Sequence, residues 1–316
     1  LLVIIYFGAA ILAVLLGIIS RVCIGKSYGR LTGRGFATIG IATPVVLFLL
    51  TAIITSLRGL RNIAFRMICG TNLTYLGMAM LVYSNDYGDK LPCAGGPNGR
   101  WVARLPSWAA DSRKHAYGLS DPNATDGRAT ISASLYLLVK YAQVAPKTFV
   151  CRGDFGATEF DPAEYGVGDG KLTDLWDFGP EPWKHCSFSY HNPYGPYALG
   201  AFSEPGMAVA ADRNPWIASP FARARKDFGK FDPDGGREKA RAGNAVAHRE
   251  DGQNVLFLDS HVTFEKRSFC GVKNDNVYTY WDGGDIRRGA PPTLGSQPAG
   301  RLDSLLVHDP PLTRQK

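Results

Sequence analysis

Two imidazoles and two carboxylates stand out in the second half of the chain: Asp212, His248, Asp259 and His261. Asp212 follows the apolar run 207–211, and Asp259 and His261 flank Ser260 in a stretch that reads as a hairpin turn. The four side chains are therefore expected to converge at one sheet edge. Nitrogen and oxygen ligands in that number suit zinc or another divalent ion. The same residues have a plainer use. Asp-Ser is a two-residue turn that favours Asp, and His248 with Asp212 can hydrogen-bond loop backbone. No close-spaced ligand motif decides between the two readings.

A second group of carboxylates crowds residues 154–177: Asp154, Glu159, Asp161, Glu164, Asp169, Asp174 and Asp177. Hard oxygen ligands favour calcium, although EF-hand spacing is absent and an exposed acidic surface is the plainer account. Cys69, Cys93, Cys151, Cys186 and Cys270 follow residue 66, and Cys23 precedes it. No CxxC pair exists, which argues against a zinc ribbon or a thioredoxin-type redox site. An oxidising exterior would convert the five into disulfides with one left over, in pairings that spacing does not reveal. The chain also lacks Gly-x-Ser-x-Gly, His-Glu-x-x-His and any phosphate-cradling loop. No catalytic residue is assigned, and no cofactor is expected beyond such a divalent ion. Trp101, Trp108, Trp176, Trp183, Trp216 and Trp281 fall in irregular stretches, where large apolar side chains anchor loops or, alternatively, stack on glycans.

The elements that must position these residues follow from periodicity. Short β-type runs occur at 187–190, 207–211 and 254–258, and 261–266 completes a hairpin with the last of these. Residues 131–142 read as a short helix with Leu135, Leu138 and Val139 inward. Apolar positions from Leu60 to Leu81 recur at spacings of three and four, which predicts an amphipathic helix ending near 85–89. Helix first and strands last predicts an α+β fold with an antiparallel sheet. From 288 the chain is Pro-rich and polar, and a loosely held tail is expected over 288–316.

Ahead of this lie two uncharged apolar segments, 1–20 and 36–57, each close to the ~20 residues a helix needs to cross a bilayer. Residues 1–66 carry seven basic residues and no Asp or Glu; the remaining 28 Lys and Arg balance 28 acidic residues. The net charge of +7 thus flanks the apolar segments, as topology-setting residues do. No basic stripe is left to neutralise phosphates, so nucleic acid is not an expected partner. The organisation that follows is a two-helix transmembrane anchor (1–57), an extracytoplasmic domain (58–287) and the tail (288–316). The lipid bilayer is its first partner.

Several stretches together resemble prepilin-like proteins abundant in planctomycetes. Residues 69–92 (CGTNLTYLGMAMLVYSNDYGDKLP) are similar to the segment after the N-terminal helix in that group. Residues 248–262 (HREDGQNVLFLDSHV) resemble its C-terminal His-x9-Asp-Gly signature. TFVCRGD at 148–154, ADRNP at 211–215 and GVKNDNVYT at 271–279 are similar to weaker intermediate motifs. The resemblance implies a pilin-like fold, in which the second apolar helix continues into a long helix packed on the antiparallel sheet. It also implies a non-enzymatic, structural, assembly or secretion-related role in a bacterial cell envelope, with other envelope or pilin-like proteins as partners. Major pseudopilins in the wider group use a calcium loop. Three departures bear on this. Ten residues rather than nine separate His248 from Asp259, Ser260 stands where Gly is usual, and no Gly-Phe-Thr-Leu-x-Glu processing site precedes the apolar helix. A subunit held by two spans is not extractable into a filament, so retention in the membrane is expected. The alternatives are a metal-dependent envelope enzyme at the Asp212/His248/Asp259/His261 edge and a glycan- or partner-binding module.

Overall fold

The computed structural model describes residues 2–27, 30–168, 171–200, 202–219 and 227–311. The chain divides into two compact units, Leu1–Ile63 and Ala64–Lys316. Among the described residues, five α-helices, α1 (Leu2–Lys26), α2 (Arg34–Asp86), α3 (Arg113–Tyr117), α4 (Ile131–Ala142) and α5 (Gly236–Arg241), accompany seven strands. These are β1 (Arg100–Trp101), β2 (Arg128–Ala129), β3 (Phe188–His191), β4 (Ala208–Asp212), β5 (Gln253–Phe257), β6 (Val262–Glu265) and β7 (Leu306–Val307).

In the first unit, α1 and the start of α2 are long and apolar enough to cross a membrane. Their large apolar side chains, among them Ile11, Leu15, Phe48 and Ile53, are exposed. Polar groups inside the apolar stretch are satisfied within the helix. Thr38, Thr43, Thr51 and Thr55 each donate a hydroxyl to the carbonyl four residues earlier. Gly17 lets α1 approach α2, since a Cβ there would lie 2.6 Å from the Ile41 side chain.

The second unit is α+β. Its main sheet has the order β6-β5-β4-β3-β7, antiparallel throughout. One face is covered by α4 and by the last part of α2, whose Cys69, Leu73, Leu76, Met80 and Tyr83 are buried at helical spacing. Gly77 belongs to that seam: a Cβ there would sit 2.8 Å from Leu256 of β5, so glycine's helix cost of ~1 kcal/mol accompanies close helix–sheet packing. The other face is covered by loops and α5, with Trp216, Phe231, Phe269, Val277 and Tyr278 packed on Val255 and Phe257. Burial on both faces explains why β3, β4 and β5 are buried at every position rather than alternately.

The expected loose tail is corrected. Residues 303–309 are buried, and Leu306–Val307 pairs with β3 through Tyr190 and His191. Asp309 reaches further, accepting from the backbone N–H of Ile131 (2.9 Å) and Ser132 (2.8 Å) and from Trp101 Nε1 (2.8 Å). It thereby satisfies free donors at the start of α4. Residues 312–316 of that stretch lie outside the described residues.

Candidate functional site

The stretches quoted for the family resemblance lie far apart in the chain yet meet at one place. Cys69, on α2, is disulfide-bonded to Cys151, with a Cα–Cα distance of 5.2 Å. Asn72, one turn on, donates to the carbonyl of Val150 (3.1 Å) and ties α2 to the same segment. Arg213, next to Asp212, pairs through Nε with Asp154 (2.7 Å) and donates to the carbonyls of Trp183 and Cys186. Asn214 staples the strand ends: Nδ2 donates to the carbonyls of Tyr278 and Leu306, and Oδ1 accepts from the Trp216 N–H. The Tyr278 hydroxyl donates to the carbonyl of Asp212 (2.8 Å).

At the centre are His248 and Asp212. The His248 Nε2 lies 3.4 Å from Asp212 Oδ2 and 3.5 Å from Cys151 Sγ. Asn254, at the start of β5, donates to the same Oδ2 from its backbone N–H (2.7 Å) and from Nδ2 (3.2 Å). One sulfur from each of Cys69 and Cys151, a nitrogen of His248 and an oxygen of Asp212 all lie within 4.8 Å of one another, and all four residues are buried. Asp212 Oδ1 and His248 Nδ1 are buried without a hydrogen-bond partner among the described residues. A buried carboxylate that keeps spare lone pairs is costly unless a cation or donor meets it.

A strained turn delivers the imidazole. His248, Arg249 and Glu250 have φ of 57°, 59° and 61°, three successive left-handed residues at roughly 1–2 kcal/mol each. Arg241 holds the turn by donating to the carbonyls of Arg249 and Glu250, and Asn244 Nδ2 donates to that of Glu250 (3.0 Å). Gly153 leaves room for the ring, since a Cβ there would lie 2.7 Å from His248 Cε1. Strain retained at a buried polar cluster points to a constrained site rather than a casual loop.

The expected four-residue edge therefore divides. Asp212 and His248 meet, but Asp259 and His261 sit at the far end of β5, roughly 15 Å away by strand rise. There they pair with each other at an exposed turn. The His-to-Asp signature spans the length of one strand, so its ends cannot share an ion. Cys69 and Cys151 take the vacated places, and the available signal is that each of the 69–92 and 148–154 stretches contains a cysteine. Ser260 adopts φ 72° at that turn, a left-handed conformation that glycine adopts at less cost.

Among the described residues, the acidic stretch does not gather into a calcium site. Asp154 pairs with Arg213, Asp161 caps a short 3-10 turn, and Asp177 is buried against Thr130 and the Phe178 N–H; Asp169 lies outside the described residues. Cys93, Cys186 and Cys270 are free thiols. Burial pushes Cys93 and Cys186 up to about 12 and Cys270 well above the ordinary range, so they are poor nucleophiles. Trp101, Trp176, Trp183 and Trp216 are buried anchors, and Trp281 is exposed. No family model, curated protein or solved structure matches this chain.

Proposed function

We propose that this is a membrane-anchored, pilin-like protein of the bacterial cell envelope, with its α+β unit extracytoplasmic and its role structural or in assembly rather than catalytic. One observation carries this reading: the two-sided use of α2 between residues 64 and 86. One side of that segment is buried in the core of the α+β unit. The other exposes Met67, Tyr75, Met78, Leu81 and Val82, an apolar stripe on one helical face rather than residues scattered singly. On this reading the stripe takes an apolar helix of a neighbouring anchored protein of the same kind. The disulfide supports an oxidising compartment, and the basic residues around the apolar helices support a cytoplasmic linker between α1 and α2. A metal-dependent enzyme at the four-residue edge has less support, because Asp212 and His248 are closed to substrate-sized molecules and apart from Asp259 and His261.

The test combines topology and neighbours. The protein should stay in the membrane after alkaline extraction, and protease added from outside should digest the α+β unit while sparing the helical hairpin. A photo-crosslinking residue at position 75 or 78 should capture a partner, whereas one at the exposed Asp234 should not. A protease-protected α+β unit, or equal capture at 75, 78 and 234, would overturn the reading.

A further inference from the structure

We propose that Cys69, Cys151, His248 and Asp212 form a zinc-class metal site in the reduced chain, which the Cys69–Cys151 disulfide replaces on oxidation. Three observations carry it, and none depends on the assembly role. The first is donor chemistry. Two thiolates, an imidazole and a carboxylate are a tetrahedral set for a borderline-soft divalent ion. The second is spacing. Zinc–ligand bonds of ~2.0–2.3 Å imply tetrahedral edges of roughly 3.6 Å from sulfur to nitrogen and roughly 3.4 Å from nitrogen to oxygen. Cys151 Sγ to His248 Nε2 is 3.5 Å and His248 Nε2 to Asp212 Oδ2 is 3.4 Å. Two edges of the polyhedron thus exist with no ion present, and the sulfur–sulfur edge is closed by a covalent bond. The third is unmet demand. Asp212 is fully buried, its Oδ1 has no partner among the described residues, and the groups facing Oδ2 are His248 and Asn254. The disulfide offers that carboxylate no bond, whereas a divalent ion held by the two thiolates would coordinate it directly.

The exchange balances. A dithiol donates two electrons to the Cys69–Cys151 bond and becomes a disulfide itself, leaving two thiols on the chain. One metal ion then displaces the two thiol protons to solvent. Because the four residues are buried, loading belongs to the period before the core closes, or to opening of the 248–250 turn that carries the imidazole. The chain has one way to satisfy this cluster under oxidising conditions and another under reducing ones.

The experiment uses the full chain in detergent, either as the disulfide or reduced with a phosphine, with cobalt(II) as a visible stand-in for zinc. The reduced protein should bind one equivalent with a thiolate-to-cobalt charge-transfer band and tetrahedral visible bands, and zinc should displace it. The oxidised protein should show neither. His248→Gln and Asp212→Asn should each weaken binding at least tenfold, and Cys69→Ser with Cys151→Ser should abolish the charge-transfer band. If the reduced chain loses its near-ultraviolet circular dichroism, zinc should restore it while magnesium does not. A reduced chain without the band, binding that survives the paired serine substitutions, or a reduced chain that zinc does not refold would each overturn the proposal.

Discussion

Two buried carboxyls give this protein a stability that depends on proton occupancy. Burial, then the charge of Asp309, pushes Asp177 up to about 8; burial, then the charge of Asp303, does the same for Asp275. The unfolded chain ionises both near 3.8. Between these values the folded state holds protons that the unfolded state has released. Stability is therefore greatest below about pH 4 for these groups and falls as pH rises towards about 8, by up to ~1.4 kcal/mol per pH unit for each. Asp177→Asn and Asp275→Asn should each flatten this slope, so that denaturant midpoints of variant and parent diverge in the variant's favour from about pH 5 to about pH 8. A parallel pair of curves would show that the carboxyls are ionised in the fold. At this scale the sequence was half legible. Asp212 and His248, which the structure brings to 3.4 Å of each other, are legible from residue type and from position next to strands. The cysteine partners are not, because Cys69 lies on a helix and Cys151 in a loop, and only tertiary packing joins them.

Runs of residue type served best at the scale of elements, where short apolar stretches bounded by turn residues mark buried helix and strand. The helix expected at 131–142 is α4 at the same bounds, and the strands expected at 187–190, 207–211 and 254–258 are β3, β4 and β5 displaced by a residue. The stretch from 288 failed the same test for a physical reason. Three apolar residues, Leu305 to Val307, are too few to show a period, and their partner strand lies far earlier in the chain. Asp309 offers the corresponding measurement. Its replacement by Ala removes a carboxylate that accepts two α4 N–H groups and the Trp101 indole. The expected cost is ~1–3 kcal/mol of unfolding free energy, read from a denaturant midpoint at constant slope. A change under a few tenths would mean that water reaches the start of α4 and replaces the carboxylate.

For the whole molecule, charge and hydropathy set an apolar, basic leading stretch apart from a remainder balanced in charge over 67–316, and the structure divides into compact units at Ile63. What the sequence left open was how the α+β unit is fastened. A disulfide across a separation of 82 residues joins its leading helix to the loop after α4. Chain-entropy arguments assign such a loop about 4–5 kcal/mol. Reduction in metal-free buffer should therefore lower the thermal midpoint of the α+β unit by many degrees, followed by near-ultraviolet circular dichroism. A midpoint that barely moves would place the cross-link's worth in local geometry rather than in the unfolded ensemble.

The position of β7 has a consequence in time. Synthesis runs from the amino to the carboxyl end, so α2, α4 and the four strands β3 to β6 are all made before residues 306–309 exist. Until then β3 has an open edge, and the start of α4 has donors with no acceptor. A chain not yet extended to residue 309 is thus left with a sticky margin, and one that has reached it can close it. The residues that the sequence marks as a slack end act instead as the molecule's latch, and a chain clipped before them would remain visibly unfinished to any protease or chaperone that surveys it.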